Sequence, residues 1–301
     1  MNGLDQSERF FCFWEGGDFP LKLYQMYRPL TAAPFQADDT YIEVAPCEAL
    51  RPYICCFWGT RRPVWAKQTG REEGLVTPDT CMDILFDLDY TQGTLSNVFC
   101  GIDDLPFVSR ENFPGHIVST FAIRFYAWAT PLFAGEPMTQ VQNGFFDAHC
   151  FFPKLTRQLE AMLPSVDTME GRIRFAQDYL VQALQTGKEK PAVMNAVYHM
   201  LQNEGRAALS DAAGYACVGL RQLERLFRDM VGVSPKKLAQ LVRYQQVWRT
   251  VLFEREFDMQ DAVYRFGFTD QSHLLRDFKR FHTLTPMQAR ALALDRAGQR
   301  K

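Results

Sequence analysis

The chain has 301 residues, 47% hydrophobic and 23% charged, a length that suggests roughly two domains and a composition that excludes a disordered or fibrous protein. No run of about 18 apolar residues is present to span a bilayer, and the N-terminal stretch MNGLDQSERFFCFWEGG lacks the basic start and apolar middle of a secretory signal, so a cytoplasmic location without a membrane partner is expected. The net charge of −2 hides a division: residues 191–301 hold 17 Lys+Arg against 11 Asp+Glu, a net of +6, while residues 1–190 hold 16 against 24, a net of −8. Such asymmetry suits a C-terminal part that meets a polyanion and an N-terminal part that does not.

From about Tyr41 to Phe125 the chain alternates short β-prone runs, YIEV, YICCFWGT, CMDILFDL and IVSTFAIRF, with turn residues such as Pro46, Pro63, Pro78, Gly93 and Pro114. Strands at this spacing predict a small β-barrel or sandwich rather than a βαβ sheet. Eight cysteines are too dilute for a secreted disulfide scaffold, and Cys55 and Cys56 are adjacent; reduced core thiols are the expectation. No C-x-x-C pair occurs, and His149-Cys150 is one dipeptide without zinc spacing, so neither a metal nor another cofactor is expected.

From Phe152 the period becomes helical. LTRQLEAML and TMEGRIRFAQDYLVQAL predict helices within about 154–185, the second with Ile173, Ala176, Leu180 and Leu184 on one stripe and Asp167 or Thr168 as its cap. The polar stretch GKEKP, residues 187–191, reads as a linker. Beyond it lies a repeat: Asp211-Ala212 returns as Asp261-Ala262 after 50 residues, and Leu223, Arg225, Phe227 and Ser234-Pro235 return as Leu274, Arg276, Phe278 and Thr285-Pro286 after 51. A short helix, a turn, a longer helix and an S/T-P stop occur twice, which predicts two helix-turn-helix units. Pro235 to Leu252 between them predicts a helical strut about 27 Å long.

In the first longer helix, about 219–230, Leu223, Phe227 and Met230 share a face and leave Arg221, Arg225 and Arg228 opposite. In the second, about 270–281, Leu274, Phe278 and Phe281 form the buried stripe, and Gln271, Ser272, Arg276 and Lys279 point outward. Guanidinium, ammonium, amide and hydroxyl groups are the inventory that reads base edges and phosphates. The stretch DQSHLLRDFKRFH, Asp270 to His282, also holds Asp270, His273, Asp277 and His282. These groups raise metal or acid-base chemistry as an alternative, but His273 and Asp277, four residues apart, have no third ligand in view.

Over residues 192–292 the segments LSDAAGYACVGLRQLERLFRDMVGVSPKKL, RYQQVWRTVL and MQDAVYRFGFTDQSHLLRDFKRFHTLTPMQAR resemble the double helix-turn-helix of AraC/XylS-type transcription regulators in order and spacing. The resemblance implies DNA contacts from Arg221, Glu224 and Arg225 and from Gln271, Ser272, His273 and Arg276. With Gln222, Arg228 and Lys279 these complete the candidate DNA-binding set. Gly219 stands where the family has a Ser or Thr cap, and Thr283 where it has Gly. GLVTPDTCMDILFDL and FAIRFYAWATPLFAGEPM are similar to segments of the cupin-like sensory domain of some of these regulators, although Tyr126-Ala127-Trp128 replaces an Arg-Pro-Gly.

The implied architecture is α+β: a cupin-like small β-barrel with flanking helices over residues 1–186, a linker at 187–191, and an all-α double helix-turn-helix domain over 192–301. The implied protein is a DNA-binding activator or repressor without catalytic residues, homodimeric through the helices at 154–185, with operator DNA and RNA polymerase as partners and an unknown small-molecule effector. Aromatic crowding in the strand region suggests Trp58, Phe86, Phe99, Phe125 and Trp128 as the effector pocket. Two alternatives stay open: a nucleoid-type or effector-independent DNA binder, and a cysteine-dependent DNA alkyl-transfer enzyme, which lacks here its P-C-H-R and four-cysteine zinc patterns. G-x-S-x-G, H-E-x-x-H and P-loop patterns are absent.

Overall fold

The computed structural model describes residues 19–31, 34–35, 40–65, 74–109 and 113–298; the N-terminal stretch judged above for a signal lies outside them. Among the described residues no helix is long and apolar enough to cross a membrane. After helix α1 (Phe19–Met26) come strands β1 (Tyr41–Val44), β2 (Ile54–Thr60), β3 (Val64–Trp65), β4 (Gly74–Val76), β5 (Cys81–Asp89), β6 (Thr94–Cys100), β7 (Phe107–Ser109), β8 (Ile117–Tyr126) and β9 (Phe145–Phe146). Seven form an antiparallel sheet in the order β1-β2-β8-β5-β6-β9 with β3 also on β8, and β4 pairs with β7 in a separate ladder. The four β-prone runs of the sequence are β1, β2, β5 and β8. Strand β6, TLSNVFC, mixes polar and apolar residues on both faces and carried no comparable signal.

Antiparallel partners share a face of the sheet, so the register sorts the side chains. Phe86 lies opposite Phe121, Met82 opposite Phe125 and Ile84 opposite Phe99. This face is covered by α2 (Ala148–Phe151), α3 (Pro153–Met162) and α4 (Met169–Ala183); Phe152, between α2 and α3, stacks on Phe125 and meets Phe99 edge-on. Thr168 caps α4, accepting from the Gly171 amide at 3.2 Å. The apolar stripe of α4 is spent on the sheet, with Ile173, Ala176 and Leu180 buried. Arg174, Asp178, Val181 and Gln182 are exposed on its outer side. Arg172, also buried, pins α4 by donating to Ser119 Oγ, Tyr90 Oη and the Val166 carbonyl.

The second half is helical, as α5 (Pro191–Gln202), α6 (Leu209–Tyr215), α7 (Leu220–Met230), α8 (Pro235–Phe253), α9 (Met259–Arg265), α10 (Gln271–His282) and α11 (Pro286–Gly298). The expected α+β class therefore holds: a β-sheet domain followed by a helical helix-turn-helix domain. Ser234 caps α8 from its side chain and Pro235 takes the first helical position, where a missing N–H costs nothing. Helix α8 is buried on nearly all sides, and its 19 residues give a strut of about 28 Å.

The two helix-turn-helix copies need a left-handed residue at the same two places, in the turn before the recognition helix and in the stop after it. The first copy uses Cys217 (φ 54°) and Gly232 (φ 81°), the second Gly267 (φ 65°) and Thr283 (φ 69°). Each copy thus has one glycine and one strained side chain. Left-handed backbone costs a β-branched residue about 1–2 kcal/mol, and glycine loses part of that gain to its freer unfolded chain. Thr283→Gly should therefore stabilise the protein by about 1 kcal/mol, read as a higher urea midpoint at unchanged slope. A lower midpoint would mean that the threonine side chain stabilises the stop.

Candidate nucleic-acid interface

Helices α7 and α10 are amphipathic in the way their spacing predicts. Leu223, Phe227 and Met230 on α7, and Leu274, Phe278 and Phe281 on α10, are buried, with Tyr244 of α8 against Phe278 and Phe281. Arg221, Gln222, Glu224, Arg225 and Arg228 are exposed on α7, and Gln271, Ser272, Arg276 and Lys279 on α10. None of the basic residues in these two sets joins an ion pair among the described residues. His273 is half-buried at the start of α10: its ring lies edge-on to Phe268 and its Nδ1 is 3.3 Å from Thr269 Oγ1. As expected from Gly219, α7 starts without a side-chain cap, whereas Asp270 caps α10 by accepting from the His273 amide at 2.7 Å.

The groups that suggested metal or acid-base chemistry are scattered among structural tasks. Asp270 is the cap, Asp277 pairs with Arg243 of α8 at 2.7 Å, and His282 is buried between Phe278 and Trp248. Arg280, next to Lys279, reaches Asp104 in the β-domain at 3.2 Å.

The five aromatic residues expected to line one pocket do not do so. Phe86, Phe99 and Phe125 are fully buried on the helix-covered face. Trp58 lies opposite Ala122, which places it on the other face, and Trp128 follows the end of β8, stacked on Tyr126. The error is one of parity: aromatic content says nothing about which side of the pleat a ring occupies. Trp58 is only half-buried, and its Nε1 donates to Asp83 at 2.7 Å. Asp83 accepts a two-pronged contact from Arg124 at 3.0 and 3.1 Å, with Asp79 3.5 Å from the same guanidinium. Burial raises the pKa of Asp79 to about 6, and burial together with the charges of Asp79, Asp83 and Asp104 raises that of Asp103 to about 7. A register shift at Cys55 interrupts β2. Burial raises the pKa of the Cys100 thiol, while hydrogen bonds with Cys56 and Cys81 lower that of Cys55.

Sequence reasoning missed the contacts between the two domains. Gln245 of α8 accepts from the Leu30 amide at 2.7 Å and donates to the carbonyls of Leu30 and Pro78 at 3.0 Å. Trp248 donates to the Thr31 carbonyl and Arg249 to that of Arg28. Gln245 is one of several polar residues of α8 and nothing in the sequence sets it apart; its partners are backbone groups, which carry no sequence signature.

Residues 212–291 match the family described as Helix-turn-helix domain, and residues 42–147 match the Domain of unknown function DUF6597. No curated protein matches the chain. Among solved structures, a transcriptional regulator with an AraC-type DNA-binding domain from Chromobacterium violaceum is 27% identical, over 34% of this chain and 92% of that one, with a TM-score of 0.32. ToxT from Vibrio cholerae O395 is 10% identical over 79% of this chain and 98% of its own, with a TM-score of 0.37. An unsaturated-fatty-acid-bound ToxT from Vibrio cholerae strain SCE256 is 9% identical over 84% and 95%, also at 0.37.

Two helix-turn-helix units with open basic faces define a DNA-binding regulator. Over residues 212–291 the chain carries the helix-turn-helix domain of the family it matches.

The buried ring of His282 provides a pH-dependent check on the helical core. Burial lowers its pKa to about 4, below the ordinary value of about 6.5. Between these values the unfolded chain takes up a proton that the folded one refuses, so stability is complete above about pH 6.5 and falls as the pH drops toward 4. The loss from this residue is on the order of 3 kcal/mol. His282→Phe should flatten that part of the stability profile, measured as denaturant midpoints from pH 7 to pH 4. Identical profiles for both proteins would show that His282 is not held neutral.

Proposed function

We propose that the protein regulates transcription by placing α7 and α10 in successive major grooves on one face of a specific operator. The observation that carries this reading is the recurrence of one arrangement, a buried apolar stripe with an exposed basic face, on equivalent helices of two repeats. The strut of about 28 Å between the copies is compatible with grooves about 34 Å apart. In this reading Arg225 and Arg276, at equivalent positions, read bases together with Arg221, Gln222, Glu224, Gln271, Ser272 and His273, while Arg228 and Lys279, further along their helices, bind phosphates.

Arg225→Ala and Arg276→Ala should each cost about 1–3 kcal/mol on the cognate site and relax base preference in one half of it. Lys279→Ala should weaken all duplexes alike and reduce the slope of log affinity against log salt by about one. Titrations of cognate and random duplexes at several salt concentrations separate these outcomes. Equal losses on both duplexes for Arg276→Ala would remove it from base reading, and equal affinity of the wild type for both would favour a nucleoid-type binder.

The reading includes a small-molecule effector in the β-domain, against the sheet face that carries Trp58 and Arg124. Support comes from the contrast in burial: the rings of the opposite face are sealed under helices, whereas Trp58, Leu85, Val98 and Cys100 are only half-buried. Polar groups on a partly apolar wall suit ligand orientation. An effector that acts on DNA binding must have its own affinity altered by operator DNA by the same factor. In calorimetric titrations of products of neighbouring genes, with and without operator, Trp58→Ala should abolish effector binding while Phe86→Leu alters only stability. Effector affinity unaffected by Trp58→Ala would move the site elsewhere.

A further inference from the structure

The connector from β6 to β7 carries a buried carboxylate, Asp104, that touches the start of α8, just after the first helix-turn-helix copy, and the end of α10 in the second. Its Oδ1 accepts from Gln142 Nε2 and Asn143 Nδ2, both at 2.7 Å, and its amide donates to Asn143 Oδ1 at 2.9 Å. Its Oδ2 meets Lys237 Nζ and, at 3.2 Å, Arg280 Nη2. Lys237 stands in the first turn of α8, just after the first copy, and Arg280 in the last turn of α10, the longer helix of the second. The adjacent loop completes the contact: the Met138 amide donates to the Asp229 carbonyl near the end of α7 at 2.9 Å. A Cβ at Gly232 would lie 2.7 Å from Val141 Cγ2 and 3.0 Å from the Met138 oxygen. The β-domain therefore grips the C-terminal ends of α7 and α10 together.

This grip leaves the outward faces of both helices open, since Arg221, Arg225, Gln271, Ser272 and Arg276 are all exposed while it is in place. It is a brace behind the helices, and it does not mask them. Burial by itself would raise the pKa of Asp104, yet hydrogen bonds from Lys237, Asn143 and Gln142 bring it down to about 2, so the carboxylate is charged at neutral pH. A buried charge with matched partners is costly to disturb from one side, because the remaining charges lose their compensation.

We infer that Asp104 is a positioning residue for DNA binding, holding α7 and α10 in the one relative placement that lets both engage a two-part site. The inference rests on the two-helix reading proposed above. Preorganisation of this kind adds affinity only when both helices are engaged, because the ordering it supplies is irrelevant to either helix alone.

The test uses the full-length protein and a duplex that the wild type selects from a random-sequence pool, together with two derivatives in which one half or the other is scrambled. Asp104→Asn should weaken binding to the intact duplex about tenfold, within the range usual for coupling between sites, and change binding to either scrambled duplex by less than about twofold. Lys237→Gln should give the same split. The double variant should be no weaker than the worse single one, because both substitutions break one contact. Thermal melts report folding; should Asp104→Asn fail to fold, Arg280→Gln carries the same comparison from the more exposed side. A loss of equal size on all three duplexes, or no loss on the intact one, would overturn the assignment of Asp104. A wild-type protein that bound intact and scrambled duplexes equally would overturn the two-helix reading itself, and the brace with it.

Discussion

Helix α8 has almost no solvent-facing side, and a helix buried all round must be covered on every side. Leu238, Leu241, Val242, Tyr244, Val247, Trp248, Val251 and Leu252 are all buried along it. Helices α5, α7, α10 and α11 supply part of the cover, and the N-terminal half supplies more through residues 28–31 and Pro78. Gln245 marks where apolar cover ends and backbone begins. Its amide satisfies both the N–H and the carbonyl of Leu30, groups that would otherwise be buried without partners at a cost of about 1–3 kcal/mol each. The reading faces of α7 and α10 are what remains once each helix has turned its apolar stripe inward.

This division explains what the sequence disclosed and what it withheld. The repeat was legible because burial against α8 imposes a fixed period on Leu223, Phe227 and Met230 and again on Leu274, Phe278 and Phe281. The four principal strands were legible for a similar reason: β-branched and aromatic runs between turn residues need no partner to be recognised. The small strands β3, β4, β7 and β9 are two or three residues long, too short to show any period. The pocket assignment failed because it weighed aromatic content without the pleat. Phe86, Phe99 and Phe125 sit at positions of one parity across three strands and became core, whereas Trp58 has the other parity and did not. The contacts between domains were illegible because they join single polar side chains to carbonyls or to charges more than a hundred residues away.

The left-handed positions show how a repeat can hold its geometry while its residues diverge. In each copy one of the two positions has kept glycine, and the other carries the backbone penalty with Cys217 or Thr283. Gly232 is additionally fixed by the approach of Val141 and Met138 from the β-domain. Its counterpart Thr283 follows His282, which is buried against Phe278 and Trp248. The packing on either side over-determines the turn, and a strained residue persists where its surroundings leave no alternative conformation.

Electrostatic pairing and carbonyl contacts occupy several basic residues of the helical domain. Arg243 is matched by Asp277, Arg265 by Glu204 and Glu254, and Lys237 and Arg280 by Asp104. Arg290 is held by the carbonyls of Glu254 and Arg255. Each of these lies within the domain, at its back, or at the junction with the β-domain. Arg221, Arg225, Arg228, Arg276 and Lys279 join no ion pair among the described residues, and neither do Arg206, Lys236, Arg249 and Arg255, so the outward faces of α7 and α10 carry a part of the unpaired positive charge of residues 191–301. An unpaired cation on a rigid helix is poorly compensated in the free protein and gains most from a phosphate or a guanine edge. The acidic N-terminal half contributes Asp104 at the junction, where it pairs with Lys237 and Arg280, cations that lie apart from those surfaces.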